Sequence, residues 1–307
     1  MQKEMPENTK TLELSENKFP VVGVGASAGG LTAFKEFVGS IPEKSGMAYV
    51  LVQHLDPTHE SLLSEILQKS TPVPVLEIKD DIEVEPDHIY IIPSNKMLLA
   101  TDGVLKLSKR PAPEKNQKNH PIDLFFKSLA IIHESHSLGV VLSGTGNDGS
   151  EGLKDIKNKG GITFAQEEDS AEWPQMPNSA INAGVVDFIL PPSEIPTKIM
   201  GLVKNIDSNT TEASDVIEED AGAFQQILSL IRLRRNTDFT YYKDTTIRRR
   251  ILRRMALNKY ESPELYLKFL KENTHEIDVL FQDLLIPVTN FFRDPEIFED
   301  IQKTLLP

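Results

Sequence analysis

From Phe19 to about residue 205, short apolar runs alternate with amphipathic stretches, the pattern of a sheet covered by helices on both faces. The runs predict strands near 20–25, 47–53, 89–92, 138–143, 162–165 and 186–189. The stretches between them predict helices near 30–38, 59–69, 122–134, 150–159, 177–183 and 193–205. Gly160-Gly161 after Lys159 stops one helix just before the next strand. Met97 to Leu107 reads differently. Two short apolar runs flank Asp102-Gly103 there, which predicts an antiparallel hairpin appended to the parallel sheet.

The pattern changes near residue 206. Asp207 to Asp220 is acidic, hydroxyl-rich and nearly without large apolar residues, the composition of a linker. Beyond it the periodicity is helical only. Phe224, Ile227, Leu228 and Ile231 share a face, as do Ile247, Ile251 and Met255, then Leu265, Leu267 and Leu270, then Ile277, Leu280, Phe281 and Leu284. Asp244 or Thr245 suits the start of the second helix, Ser262-Pro263 starts the third and Asp294-Pro295 one more. The expected fold class is therefore α/β, a doubly wound and mainly parallel sheet with an appended hairpin, followed by a small all-α helical domain. The expected organisation is a flexible arm over 1–18, an α/β domain over 19–205, an acidic linker over 206–220 and a helical domain over 221–307.

Composition narrows the chemistry. An apolar content of 39% over 307 residues supports real cores. The absence of cysteine excludes disulfides, thiolate catalysis and cysteine-bound zinc, and favours a reducing compartment. The first residues, Met-Gln-Lys-Glu-Met-Pro-Glu-Asn, lack a signal-peptide core, and no apolar run nears the ~20 residues that span a bilayer, so a cytoplasmic chain without membrane insertion is expected. The net charge of −13 is uneven: residues 221–307 hold 14 Lys+Arg against 12 Asp+Glu, and residues 1–220 hold 19 against 34. The acidic first part argues against nucleic-acid binding. The block 232–254, with nine basic and two acidic side chains, suits an acidic partner.

Candidate catalytic groups fall at strand ends. Phe19-Pro-Val-Val-Gly-Val-Gly-Ala-Ser27-Ala-Gly-Gly30 is a strand that breaks into a small-residue turn carrying one hydroxyl. Met47-Ala-Tyr-Val-Leu-Val-Gln-His54 ends in a histidine, and Ser137 to Gly144 runs into Thr145-Gly-Asn-Asp148-Gly. One sheet can thus gather Ser27, His54 and Asp148 as nucleophile, base and orienting carboxylate, which reads as a serine hydrolase. Gly25-Ala-Ser27-Ala-Gly29 fits the G-x-S-x-G turn, but the chain order Ser, His, Asp is not that of α/β-hydrolases. Gly23-Val-Gly25-Ala-Ser-Ala28 also fits a dinucleotide fingerprint. That reading needs an acid at the end of the second strand, where Gln53-His54 stands, while Glu43 lies before the strand.

Val-Gly25-Ala-Ser27-Ala-Gly-Gly30, Gln53-His54, Leu142-Ser-Gly-Thr-Gly-Asn-Asp148-Gly and Gln175-Met-Pro177-Asn-Ser-Ala180 with Gly184 resemble the catalytic domain of bacterial chemotaxis receptor methylesterases, the CheB type, over about residues 19–205. The resemblance implies that Ser27 is the nucleophile, His54 the base and Asp148 the orienting acid, with the Thr145 backbone N–H at the oxyanion. It implies hydrolysis of glutamyl γ-methyl esters on methyl-accepting chemoreceptors, with glutamine deamidation also permitted and neither metal nor cofactor required. The chain departs from the family at Ala28, commonly threonine, and at Thr145, commonly methionine. The family's usual phospho-receiver domain would precede the catalytic domain, and only 18 residues precede Phe19.

Asp238 to Met255 and Leu284 to Pro295 resemble the helical N-terminal domain of chemotaxis receptor methyltransferases, the CheR type, so the chain resembles the front of a methylesterase and methyltransferase fusion. Thr289 and Arg293 match positions that contact S-adenosylmethionine in that family, while a neighbouring asparagine is Pro287 here. The glycine-rich cofactor domain would follow Pro307, so the cofactor is expected only in a full-length fusion. Ile247, Ile251 and Met255 are expected to pack inward, leaving Arg248, Arg249, Arg250, Arg253 and Arg254 on other faces with few sequence-local acids. With the resemblance, that stripe implies a docking face for glutamate-rich receptor helices. The non-enzyme alternative is a receptor-binding adaptor with a vestigial Ser site.

Overall fold

The computed structural model describes residues 19–53, 62–94, 96–101, 103–109, 120–203, 221–239, 242 and 244–285. The arm and the linker of the sequence reading lie outside these residues.

A seven-stranded parallel sheet forms the centre, in the order β10-β9-β8-β1-β2-β5-β3. Its strands are β1 (Val21–Ala26), β2 (Ala48–Gln53), β3 (Val75–Glu77), β5 (His88–Ile91), β8 (Ser137–Val141), β9 (Ile162–Gln166) and β10 (Phe188–Leu190). The helices of this part are α1 (Gly30–Gly39), α2 (Leu63–Gln68), α3 (Pro121–His133), α4 (Ser150–Asn158), α5 (Gln175–Asn182) and α6 (195–203). From β1 the sheet extends through β2, β5 and β3 on one side, and through β8, β9 and β10 on the other. The carboxyl ends of β1 and β8 therefore flank the topological switch point, where open α/β sheets form their crevice.

Alternation along each strand splits the interior into two cores. Val22, Val24, Tyr49 and Leu51 face α1, α2 and α6. Val21, Val50 and Val52 face α3, α4 and α5. On the second face α3 lies unusually close to the sheet. A Cβ at Gly25 would come 2.4 Å from Ile122 Cγ2, closer than any real contact, so only glycine lets the start of α3 rest on the end of β1.

The expected antiparallel hairpin is present: β6 (Lys96–Ala100) and β7 (Val104–Lys109) pair, and with β4 (Ile82–Glu83) they form a separate antiparallel sheet, order β4-β7-β6, beside the parallel one. That sheet packs Leu98, Ala100 and Leu105 into the second core and is tied to α3 by the Ala100 N–H donating to Ser128 Oγ at 2.9 Å. In the helical part, α7 (Ala221–Arg235), α8 (Asp244–Leu257), α9 (Pro263–Glu272) and α10 (Thr274–Leu284) share one core. Ser262 caps α9 as expected, accepting from the Leu265 N–H, but Leu265 itself points outward. The buried stripe is Pro263, Tyr266, Leu267 and Leu270, the i, i+3, i+4, i+7 set.

The larger correction concerns the arginines of α8. Ile247, Ile251 and Met255 do pack inward, yet the expected outward basic face does not form, because Arg250 and Arg253 are buried and each of the five arginines meets an acceptor of this same chain. Arg250 and Arg253 are each only 5% exposed. Arg253 Nε donates to the Gly161 carbonyl at 2.9 Å, one terminal nitrogen donates to Asp283 Oδ2 at 2.7 Å, and the other pairs with Asp187 Oδ2. Arg250 donates to the carbonyls of Asn158 and Asp283. Arg249 pairs with Glu134 at 2.6 Å, Arg248 with Asp244 at 2.7 Å, and Arg254 with Glu276 through two bonds of 2.9 and 2.6 Å. Gly161, Asp187, Asn158 and Glu134 lie at the starts of β9 and β10 and the ends of α4 and α3. The helical part is thus fastened to the amino-terminal edge of the sheet, away from the switch-point crevice.

Asp187 is the centre of this fastening. It also accepts from the Thr163 N–H at 3.0 Å and the Thr163 hydroxyl at 2.9 Å, and Lys157 lies 3.3 Å from its other oxygen. Burial alone would push its carboxyl up, but the Arg253 and Lys157 charges override this and hold it below the ordinary carboxylate value. The contact is therefore at full strength above about pH 4 and is lost as the pH falls through the lowered value. Arg253→Ala, which removes the main counter-charge of a buried carboxylate, is expected to cost about 3–5 kcal/mol. Urea unfolding followed by circular dichroism and by Trp173, the chain's one tryptophan, measures this. A loss under about 1 kcal/mol, the range of exposed pairs, would show the contact to be superficial.

Candidate active site

β1 and β8 end side by side, and the loops leaving them are laced together. The Ser27 N–H donates to the Ser143 carbonyl at 3.0 Å, and the Leu142 N–H donates to the Gly25 carbonyl at 2.8 Å. Ser27 is half-buried at the turn between β1 and α1, where the Gly30 N–H returns to its carbonyl at 3.0 Å and Gln53 Nε2 reaches the same oxygen at 3.4 Å. A Cβ at Gly144 would lie 2.5 Å from Met176 Sδ and 3.0 Å from Ser27 Cβ, so the β8 loop passes directly over the serine only because position 144 carries no side chain.

Ser143 holds this crossing. Its buried hydroxyl donates to the Ala28 carbonyl at 2.9 Å and accepts the Trp173 N–H at 3.0 Å, and its N–H donates to Gln166 Oε1 at 2.8 Å. Gln166 Nε2 in turn bonds the Ser170 carbonyl at 2.9 Å. The Gly144 N–H donates to the Trp173 carbonyl at 2.8 Å, and the Met176 N–H to the Gly144 carbonyl at 3.0 Å. One side chain thus joins the loops after β1, β8 and β9, and leaves the Trp173 indole exposed at the rim.

Asp148 ends the β8 loop and is buried, 5% exposed. Its carboxylate accepts the N–H groups of Ile122 at 3.1 Å and Asp123 at 2.9 Å, the first turn of α3, where unpaired N–H groups and the helix dipole favour an anion. Asp123 returns the arrangement, accepting the Gly149 and Gly152 N–H groups at 2.9 and 2.8 Å in the first turn of α4. His120 Nδ1 stands 3.5 Å from Asp123 and 3.6 Å from Asp148. Burial first, and then the Asp148 charge, push the Asp123 carboxyl up to about 6, against the Gly152 N–H, His120 and the Gly149 N–H.

Ligand atoms of His120, Asp123 and Asp148 lie within 4.8 Å of one another. Both oxygens of Asp148 and one of Asp123 already accept backbone N–H groups, so the cluster is a pair of occupied helix caps and not an open cation cage.

The structure brings the Ser27 turn and the Asp148 loop to neighbouring strand ends. His54 lies outside the described residues; β2 ends level with β1, Ala26 opposite Gln53, and His54 is next in sequence after Gln53. Thr145 is exposed on the β8 loop. Thr289 and Arg293 lie outside the described residues. The arginines of α8 are at the opposite edge, spent on internal contacts. Sequence reasoning missed Ser143, Gln166, His120 and Asp123.

The family described as CheB methylesterase matches residues 22–199, and the all-alpha domain of CheR methyltransferase matches residues 222–285. A Rhodobacter capsulatus protein described as an uncharacterized 104.1 kDa protein is 29% identical over 266 residues, 80% of this chain and 28% of that protein. The chain therefore spans little more than a quarter of that relative. A Leptospira interrogans protein described as a putative protein-glutamate methylesterase/protein-glutamine glutaminase is 31% identical over 188 residues, 61% of this chain and 96% of that protein. The crystal structure of the Thermotoga maritima CheB methylesterase catalytic domain superposes with a TM-score of 0.55 at 28% identity, covering 59% of this chain and 97% of that one. No helix among the described residues is long and apolar enough to cross a membrane.

Ser143→Ala leaves the Ala28 carbonyl and the Trp173 N–H without their partner, an expected cost of about 1–3 kcal/mol. Thermal unfolding and amide exchange at Trp173 and Gly144 measure it. Wild-type protection at both amides would show that the loops hold together without the hydroxyl.

Proposed function

The chain belongs to the CheB methylesterase family, and on that premise we propose that it hydrolyses glutamyl γ-methyl esters of methylated chemoreceptor helices through Ser27, His54 and Asp148. The observation that carries this reading is the lacing of the Ser27 turn to the Asp148 loop at the switch point, with the Ser27 N–H on the Ser143 carbonyl at 3.0 Å. A hydroxyl and a buried carboxylate held by two N–H groups then flank one crevice, and His54 follows in sequence the neighbouring strand end, that of β2.

In this reading Ser27 Oγ attacks the ester carbonyl while His54 takes its proton, and Asp148 holds the imidazole in the tautomer that can do so. The tetrahedral intermediate collapses as His54 returns the proton to the departing methoxide, releasing methanol. A water molecule, deprotonated by His54, then attacks the acyl-enzyme, and expulsion of Ser27 Oγ restores the hydroxyl and leaves glutamate. Backbone N–H groups of the β8 loop, Thr145 among them, stabilise the oxyanion in both steps. Thr145 in place of the family's usual methionine leaves this role intact, since it is the backbone that donates. The same sequence on a glutamine side chain releases ammonia. None of these steps draws on a metal or cofactor.

Ser27→Ala is expected to abolish methanol release from a glutamate-methylated receptor fragment and to abolish labelling by a fluorophosphonate. Asp148→Asn should lower kcat on the order of 10⁴. Mass spectrometry of the fragment reads the loss of each methyl group. Wild-type demethylation by Ser27→Ala would sink the assignment, and an unlabelled, inactive wild type would favour the adaptor.

A further inference from the structure

Asp123 does more than end a helix. The N–H groups that fix the Asp148 carboxylate belong to Ile122 and Asp123, while the Asp123 carboxylate fixes Gly149, the residue next to Asp148, and Gly152 one turn on. The four bonds close a ring between the start of α3 and the start of α4. We propose that Asp123 is a positioning residue for Asp148, holding the orienting carboxylate at the angle from which it acts on the catalytic histidine. This rests on the esterase reading above.

A cap alone would not require this side chain. Serine, threonine or asparagine caps a helix as well, without placing a second negative group beside Asp148. Asp123 also uses only Oδ1 for the two N–H groups; Oδ2 faces His120 Nδ1. Among the described residues, the titratable groups facing it are Asp148 from the β8 loop and His120 from the lead-in to α3, and α3 and α4 present N–H groups. Its ionisation near pH 6 places added negative charge beside Asp148, which favours the protonated form of a histidine held there.

The test compares Asp123→Ala with Asp123→Asn, which keeps the oxygen acceptor and loses the charge. Asp123→Ala is expected to lower kcat for methanol release by roughly 10²-fold with KM nearly unchanged, the cost of a misplaced group. Asp123→Asn should recover activity to within about tenfold of wild type and move the acid limb of kcat/KM down by roughly half a pH unit. Wild-type kcat in Asp123→Ala, or an unmoved limb in Asp123→Asn, overturns the proposal. Should Asp123→Ala not fold, the limb in Asp123→Asn decides alone. Fluorophosphonate labelling of wild-type Ser27 separates the two readings: without labelling or methanol release the esterase reading fails and takes this one with it, whereas a labelled wild type with unaffected variants overturns the positioning role only.

Discussion

The contact between β1 and the first turn of α3 sets the geometry of everything at the crevice. A buried carboxylate needs donors, and Asp148 obtains two from backbone N–H groups that a helix leaves unpaired at its start. Those groups reach it only because α3 begins directly above the end of β1, at a separation that a Cβ at Gly25 would forbid. A strand glycine ordinarily weakens a sheet. Here the loss is offset by the burial of Ile122 against Gly25 and of Phe125 and Phe126 against Gly23, each worth about 1.5–3 kcal/mol, and by a site for an anion at the switch point.

Two neighbouring carboxylates are tolerated on the same physical grounds. Each faces the positive end of a helix, and His120 stands between them at 3.5 and 3.6 Å. The compensation is unequal. Asp148 places both oxygens on N–H groups, whereas Asp123 uses one, and its burial first, then the Asp148 charge, raise its carboxyl to about 6. The pair is thus divided into a carboxylate held at both oxygens and a neighbour held at one.

How much of this was legible follows from the range over which each feature acts. β1, β2, β8 and β9 were readable because strands buried on both faces form continuous apolar runs, and α3 and α4 because their apolar faces repeat with helical period. β3 and β4 were not: three and two residues carry no periodicity, and Pro72 and Pro74 punctuate the approach to β3. The Ser27 turn and the Asp148 loop were visible as polar groups among small residues at strand ends. Asp123 was not, since an acid in a first helical turn is ordinary and its partner lies 25 residues away. The α8 arginines were misread for a similar reason. Periodicity assigns a charged residue to the outside, and nothing local announces that Arg253 meets Asp187, 66 residues back, and Asp283, 30 ahead.

The fastening and the crevice occupy opposite edges of the sheet, yet they share two helices. α3 carries the Asp148 cap at its amino end and leads at its carboxyl end to Glu134, which holds Arg249. α4 begins on the Asp123 carboxylate and ends at Lys157 and Asn158, which meet Asp187 and Arg250. These helices are about two to four turns long and pack tightly on the sheet, so each behaves as a short rigid rod. The carboxyl ends of these rods meet the buried ion pairs of the helical part, and their amino ends fix the two aspartates. The α8 contacts and the crevice are far apart in the fold, yet the same two helices, α3 and α4, take part in both.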